Sequence, residues 1–276
     1  MEEIIKNLQE KIANNQMKLP TQPEVAVKIR EVESDPNIEA VKLATIINKD
    51  PGLTARIIKI ANSPLMRGKV QIDSLPSAIN RLGFRFVCNT ATGLAMEQIF
   101  QATNETIDKW MYSVWAESAE VAAISYVIAK HYAQVPGDVA SLAGLMHKIG
   151  ILPILTYAQD HDELLDDEEK LDNLIKNFHP ILSEAILTAW QFPVEITSIP
   201  QNILHHTSGK DECILLSDVV RVSIDLYEQK IGHDVNCEIN ADSYKRLGIE
   251  PNIKISEHEN LQKDLDEVLS IYNTKH

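Results

Sequence analysis

The chain has 276 residues, of which 44% are apolar, 24% charged and only 5% aromatic. That is enough apolar material for a sizeable core in one large or two small domains, and Leu, Ile, Val and Ala must fill it, which suits helix-on-helix packing. The net charge of −14 is uneven: residues 1–100 hold 13 basic and 11 acidic side chains, residues 101–276 hold 13 and 29, so the acidic part excludes duplex binding over the whole surface.

Residues 3–14 predict an amphipathic helix with Ile4, Ile5, Leu8 and Ile12 on one stripe, opened by an acidic Met1-Glu2-Glu3 that does not read as a signal peptide. Leu19-Pro20-Thr21-Gln22-Pro23 forces an extended break. Helix resumes over 23–32 with Val25, Ile29 and Val32 inward, turns at Asp35-Pro36-Asn37, and resumes over 38–48 with Ile38, Val41, Ala44 and Ile47 inward. Asp50-Pro51 is a start signal, a capping carboxylate before a first-turn proline. Leu53, Ile57, Ile58 and Ala61 form the buried face that follows, and Asn62-Ser63-Pro64 closes it. A further start at Asp73-Ser74-Leu75-Pro76 leads to Gly83 as a C-terminal stop, and Phe84 to about Gln101 predicts one longer helix. Lys49–Arg85 is mildly basic; a solvated surface is the simpler reading, an acidic partner the sharper one.

Residues 105–133 predict one long helix or two joined, with Trp110, Val114, Trp115, Ala119, Ala122, Val127 and Ile128 inward. In 140–150, Leu142, Leu145, Met146 and Ile149 recur at helical steps, Ala140, Ala143 and Gly144 allow close helix approach, and Gly150 supplies a stop. His147 thus sits near the end of a buried helix, with Lys148 next to it. Residues 160–169 carry seven acids and read as a solvated turn, not a calcium loop. His179-Pro180 predicts a helix start with Ile181, Leu182, Ala185, Ile186 and Ala189 inward, ending at Trp190-Gln191-Phe192-Pro193. Residues 194–204 run into His205-His206, and 214–231 predict a helix with Asp218 near its start. Residues 232–256 show no strong period. Residues 257–272 predict an amphipathic tail helix carrying Leu261, Leu265, Val268, Leu269 and Tyr272, free to dock on the body or on a second copy.

Boundaries are expected after 104 and after 231. These give an N-terminal subdomain 1–104, a helical subdomain 105–231, and a polar segment with C-terminal helix 232–276. No run is expected to reach membrane-span length, and Cys88, Cys213 and Cys237 form no CxxC, which fits free thiols in a reducing, cytoplasmic setting.

A lone buried histidine is most simply a hydrogen-bonded core imidazole. Here His147 is joined by His179, the His205-His206 pair and Asp218, a collection found nowhere else in the chain. That pattern resembles the HD superfamily, helical phosphohydrolases whose metal site uses a His-Asp doublet at such a helix end. A second resemblance rests on Leu19-Pro20, Asp50-Pro51-Gly52-Leu53, Ala61-Asn62-Ser63 and Ala78-Ile79-Asn80-Arg81-Leu82-Gly83. These residues look like the landmarks of HDOD, the HD-related output domain, over roughly residues 15–225. It implies an all-α, multi-helix HD-like bundle with an N-terminal stack of short helices, used for signalling.

The HD resemblance implies four metal ligands: a histidine on the long helix, the doublet, and a later aspartate. His147 and Asp218 match. Glu117 stands in for the first histidine, two positions after Trp115, and Lys148 for the doublet aspartate. A carboxylate can bind such metals, but an ammonium ~4 Å from a cation is opposed by several kcal/mol at an effective dielectric of about 20. Lys148 is therefore expected to neutralise Glu117, Asp218 or both, and no metal or other cofactor is expected. His147, His179, His205, His206 and Asp218 could instead form a rearranged site for a divalent metal. The motif of the GYP relatives is not followed, since Thr207-Ser208-Gly209-Lys210-Asp211 comes after the histidine pair. The resulting expectation is a non-catalytic regulatory module that binds protein partners, with a homo-oligomer through the C-terminal helix as one option. The alternatives are a metal-dependent phosphohydrolase acting on a nucleotide or phosphodiester, and a sensor of a phosphorylated small molecule at Lys148 and the histidines.

Overall fold

The computed structural model describes residues 10, 11, 14, 16, 19–33, 40–66, 68–205, 215–233, 235 and 240–272. Every regular element among them is helical. In chain order these begin with α1 (Glu24–Glu33), α2 (Ala40–Ile47), α3 (Pro51–Ala61), α4 (Leu75–Leu82) and α5 (Phe84–Ala95), and a 3-10 turn at Met96–Ile99 follows. Then come α6 (Glu105–Tyr132), α7 (Gly137–Met146), α8 (Ile151–Ala158), α9 (Asp162–Leu165), α10 (Glu168–Ala189), α11 (Val194–Thr197) and α12 (Ile199–His205). The last are α13 (Leu216–Lys230), α14 (Ala241–Leu247) and α15 (Glu259–Tyr272).

The chain groups into two compact units. The larger comprises Gln22–Gln98, Ala119–Leu145 and Ser208–His276; the smaller comprises Met1–Thr21, Ile99–Ser118 and Met146–Thr207. These units interleave along the sequence, whereas the expected boundaries after 104 and 231 are sequential. The reason is α6, a single helix whose 28 residues supply 105–118 to one unit and 119–132 to the other.

In the larger unit α1–α5 form the stack of short helices, α1 packing on α5 and α2, and α3 on α4 and α5. Local chemistry starts and stops these elements. Asp50 accepts the Leu53 amide at 2.9 Å while Pro51 fills the first turn of α3. Asn62 ends α3 and pins the following loop: its amide donates to the Ile58 and Ile72 carbonyls at 3.0 and 2.7 Å, and its oxygen accepts the Ile72 amide at 2.8 Å. Arg81 donates to the Ala61 carbonyl at 3.1 Å and also to that of Val70. Gly83, at φ +92, separates α4 from α5, a conformation that glycine adopts freely. At the other end of the chain α15 buries Leu261, Leu265, Val268 and Tyr272 within the same unit.

Several sequence expectations are corrected. Val41 faces outward at 63% exposure, and α2 instead buries Leu43, Ala44, Ile46 and Ile47. Ile60, not Ile58, completes the buried face of α3. The helix from Phe84 stops at Ala95. His179-Pro180 starts nothing: α10 runs unbroken from Glu168 to Ala189 with Pro180 inside it, while Ile181 and Ala189 lie outside its buried face. Proline removes one main-chain donor there, but Leu171 and Leu174 before it and Leu182, Ser183, Ile186 and Leu187 after it are all buried. Packing of α10 on α8 and α12 outweighs the local break. Residues 241–247, in a stretch where the sequence shows no strong period, form α14, bracketed by Asn240 and by Gly248 at φ +66. Gly137–Ala158 does reach spanning length and is apolar enough to span, but 83% of its apolar window is buried inside the protein. The predicted helix at 3–14 and the turn at Asp35-Pro36-Asn37 lie almost wholly outside the described residues.

Candidate functional site

The His147 stretch takes its shape from a clamp within the smaller unit. Residues 147–150 form a turn between α7 and α8, so His147 falls just past the helix instead of inside it. Gly150 is not a left-handed stop: its φ is −67 and ψ −7. Glycine is required there by contact, because a Cβ would lie 2.2 Å from the His179 carbonyl oxygen and 2.5 Å from the Ser183 amide nitrogen on α10. In the space this leaves, the Ser183 hydroxyl accepts the Gly150 amide at 2.8 Å and donates to the His147 carbonyl at 3.3 Å. A buried hydroxyl thus satisfies both main-chain groups of a turn that is folded away from water.

That clamp fixes where the side chains go. His147 is buried. The Lys148 ammonium pairs with the Glu117 carboxylate, both side chains being about four-fifths shielded. His179 lies one turn before Ser183 on α10, and its shielded Nδ1 has no hydrogen-bond partner among the described residues. Burial, and then the neighbouring His147 and Lys148, push this imidazole down to about 3, so it stays neutral near pH 7. Glu117, His147, Lys148 and His179 therefore all belong to the smaller unit.

Asp218 belongs to the larger unit, as the third residue of α13, and its side chain is fully buried there. Its oxygens accept the Leu215 amide at 2.9 Å, the Ser243 hydroxyl at 2.8 Å, and two guanidinium nitrogens of Arg246, Nε at 2.8 Å and Nη2 at 2.5 Å. Burial works to raise its pKa, but the bonds from Arg246, Leu215 and Ser243 outweigh it and hold the carboxyl below its ordinary range. Arg221 extends the network by donating to the Ser243 hydroxyl at 3.1 Å. Arg246, not Lys148, is the cation on Asp218.

His206, Cys213 and Cys237 lie outside the described residues, as does the side chain of His205, and with them that part of the rearranged site. Among the described residues no three His, Cys, Asp or Glu side chains gather as a metal-holding group. The described residues at the HD positions do not suit a divalent cation: each carboxylate already carries a cation of the chain's own, Lys148 on Glu117 and Arg246 on Asp218. Sequence reasoning missed Ser183, Ser243 and Arg246. The first sits four residues after His179, on the same face of α10. The other two lie in α14, whose Asn240 and Gly248 brackets were the available signal.

A family model described as HDOD domain matches residues 19–207, more than half of the chain. No curated protein matches. Among solved structures, a Shewanella amazonensis SB2B protein provisionally named a metal-dependent phosphohydrolase is 28% identical, with TM-score 0.86 over 99% of each chain. An HDOD domain protein of unknown function from Geobacter sulfurreducens is 20% identical, with TM-score 0.69 over 95% of this chain and 96% of that one. A Marinobacter aquaeolei VT8 protein provisionally named a signal transduction protein is 18% identical, with TM-score 0.62 over 98% of this chain and 65% of that one. The latter two likenesses are of fold.

Proposed function

Because the chain belongs to the HDOD family, we propose that it is a regulatory signal-transduction module that acts by binding protein partners and does not turn over a substrate. The observation that carries this reading is the pairing of both HD-position carboxylates with protein cations, Glu117 with Lys148 and Asp218 with Arg246. A hydrolase of the HD kind uses a histidine at the first of these positions and an aspartate at the second to hold the ion that acidifies its water and polarises phosphorus–oxygen bonds. Here the two carboxylates complete ion pairs with side chains of the chain itself, where losing one partner would strand the other's charge. A second copy docking through α15 would have to use the outer face of that helix, since Leu261, Leu265, Val268 and Tyr272 are buried within their own unit.

The test is elemental analysis of protein purified without chelator, with hydrolysis of a generic aryl phosphodiester measured on the same sample. The expected result is no stoichiometric Mn, Fe, Ni or Zn and no hydrolysis that depends on His147. Near-stoichiometric metal, with hydrolysis lost in His147→Ala, overturns the reading in favour of a metal-dependent phosphohydrolase. That second reading is favoured by the buried Nδ1 of His179, which has no hydrogen-bond partner among the described residues, and by the name carried by the Shewanella neighbour.

A further inference from the structure

The larger unit contains a cavity of about 660 Å³ that regulation through protein contacts leaves unused. Its floor is aliphatic, with Ile124 from α6, Leu226 from α13 and Leu265 from α15. Its wall also carries Lys230, His233 and Lys254, while the described wall residues include no Asp or Glu. This is unexpected in residues 101–276, where acids outnumber bases 29 to 13.

The local structure explains how those side chains reach one place. Gly232, at φ +88, ends α13 in a left-handed turn, with its amide on the Gln229 carbonyl and the His233 amide on the Glu228 carbonyl at 3.0 Å. That turn delivers His233 beside Lys230, and the segment before the 3-10 turn at Ile255–Glu257 brings Lys254. Lys230 pairs with Glu120 at 2.8 Å, Lys254 with Glu257 at 3.3 Å, and His233 with Glu228, none of which lines the cavity. An ammonium has three donors. One carboxylate engages one of them, and the lysine side chains, 48% and 68% exposed, keep the others for a further anion.

The volume falls within the roughly 300–1,000 Å³ of small-molecule sites. The described wall holds no Phe, Tyr or Trp ring, and its His233 imidazole is already paired with Glu228, so aliphatic side chains and not a stacking platform make up its apolar part. We infer that this cavity binds an aliphatic carboxylate, its chain on Ile124, Leu226 and Leu265 and its head between Lys230 and Lys254. The site lies in a different unit from Lys148 and His179, so it would stand or fall independently of the HD-position argument.

The experiment is a calorimetric titration of the full-length protein with decanoate below its micellar concentration, set against decyltrimethylammonium, which keeps the chain and reverses the head charge. The expected result is one saturable decanoate site per chain, binding of the cationic amphiphile at least about tenfold weaker, and a loss of about tenfold or more in decanoate affinity in the Lys230→Gln, Lys254→Gln double variant. Should the double variant show a lowered unfolding midpoint, the single Lys254→Gln variant, altered at the more exposed of the two lysines, is read by the same criteria. Absence of saturable decanoate binding, equal affinity for the cationic amphiphile, or undiminished affinity in the folded variant overturns the inference. None of these outcomes alters metal content or phosphodiester hydrolysis, so failure here and failure of the regulatory reading are distinguishable.

Discussion

At Gly150 a single hydrogen in place of a methyl group lets the His147 turn lie against α10, with the His179 carbonyl and the Ser183 amide where a Cβ would be. Gly150→Ala is therefore expected to destabilise by roughly 1–3 kcal/mol through overpacking against backbone, read as a lowered midpoint in urea unfolding. Ser183→Ala leaves the Gly150 amide without its acceptor and is expected to cost about 1–3 kcal/mol by the same measurement. His179 gives a pH signature. With the folded imidazole down at about 3 against an ordinary 6.5, the unfolded chain binds the extra proton first. Stability then falls as pH drops from about 6.5 toward 3, by no more than ~1.4 kcal/mol per pH unit. His179→Leu should flatten that slope in unfolding curves taken between pH 6.5 and 4. A slope unchanged by the substitution would mean that the imidazole is not held neutral.

At the scale of elements, the Asp218–Arg246 pair ties α13 to α14, two helices that sequence periodicity treats very differently. Arg246→Ala strands a buried carboxylate and is expected to cost about 3 kcal/mol or more in urea unfolding. The pair also has an acid limit. Because the folded carboxyl is held below its usual value, its contribution is complete above the unfolded pKa of about 3.9 and is lost as pH falls below that. Asp218→Asn should thus remove part of the steep loss of stability below pH 4 while leaving the His179 slope between 6.5 and 4 in place. Helix α10 shows the opposite balance, with a proline inside it tolerated because buried side chains flank it on both sides.

At the scale of the whole molecule, the C-terminal helix belongs to the same compact unit as the N-terminal stack. Arg56 of α3 is held by Glu97 at 2.6 Å and donates to the Ile271 and Tyr272 carbonyls at 3.1 and 3.4 Å, satisfying the open end of α15. Asp264 receives Lys130 and His131, each at 2.7 Å, and the Tyr272 and Ser141 hydroxyls meet at 2.8 Å. Four buried apolar side chains on α15, at roughly 1.5–3 kcal/mol each, match the entire stability margin of an ordinary domain. Removal of residues 259–276 is accordingly expected to abolish cooperative thermal unfolding. If the shortened chain kept the parent midpoint, α15 would be an appendage and not part of the unit.

The sequence alone determined the all-α class, the short-helix stack with its Asp50, Asn62 and Gly83 boundaries, and the departure at Lys148. These are written in apolar period, capping chemistry and the charge of one side chain, all of which act over a few residues. Whether Pro180 breaks its helix, which cation reaches Asp218, and why position 150 must be glycine were decided only by tertiary structure. Each depends on a group 25 or more residues away, or on the packing of separate helices, such as Arg246 on Asp218 or the His179 carbonyl on Gly150. No local pattern records those approaches, because helix packing, and not neighbouring sequence, brings the partners into contact.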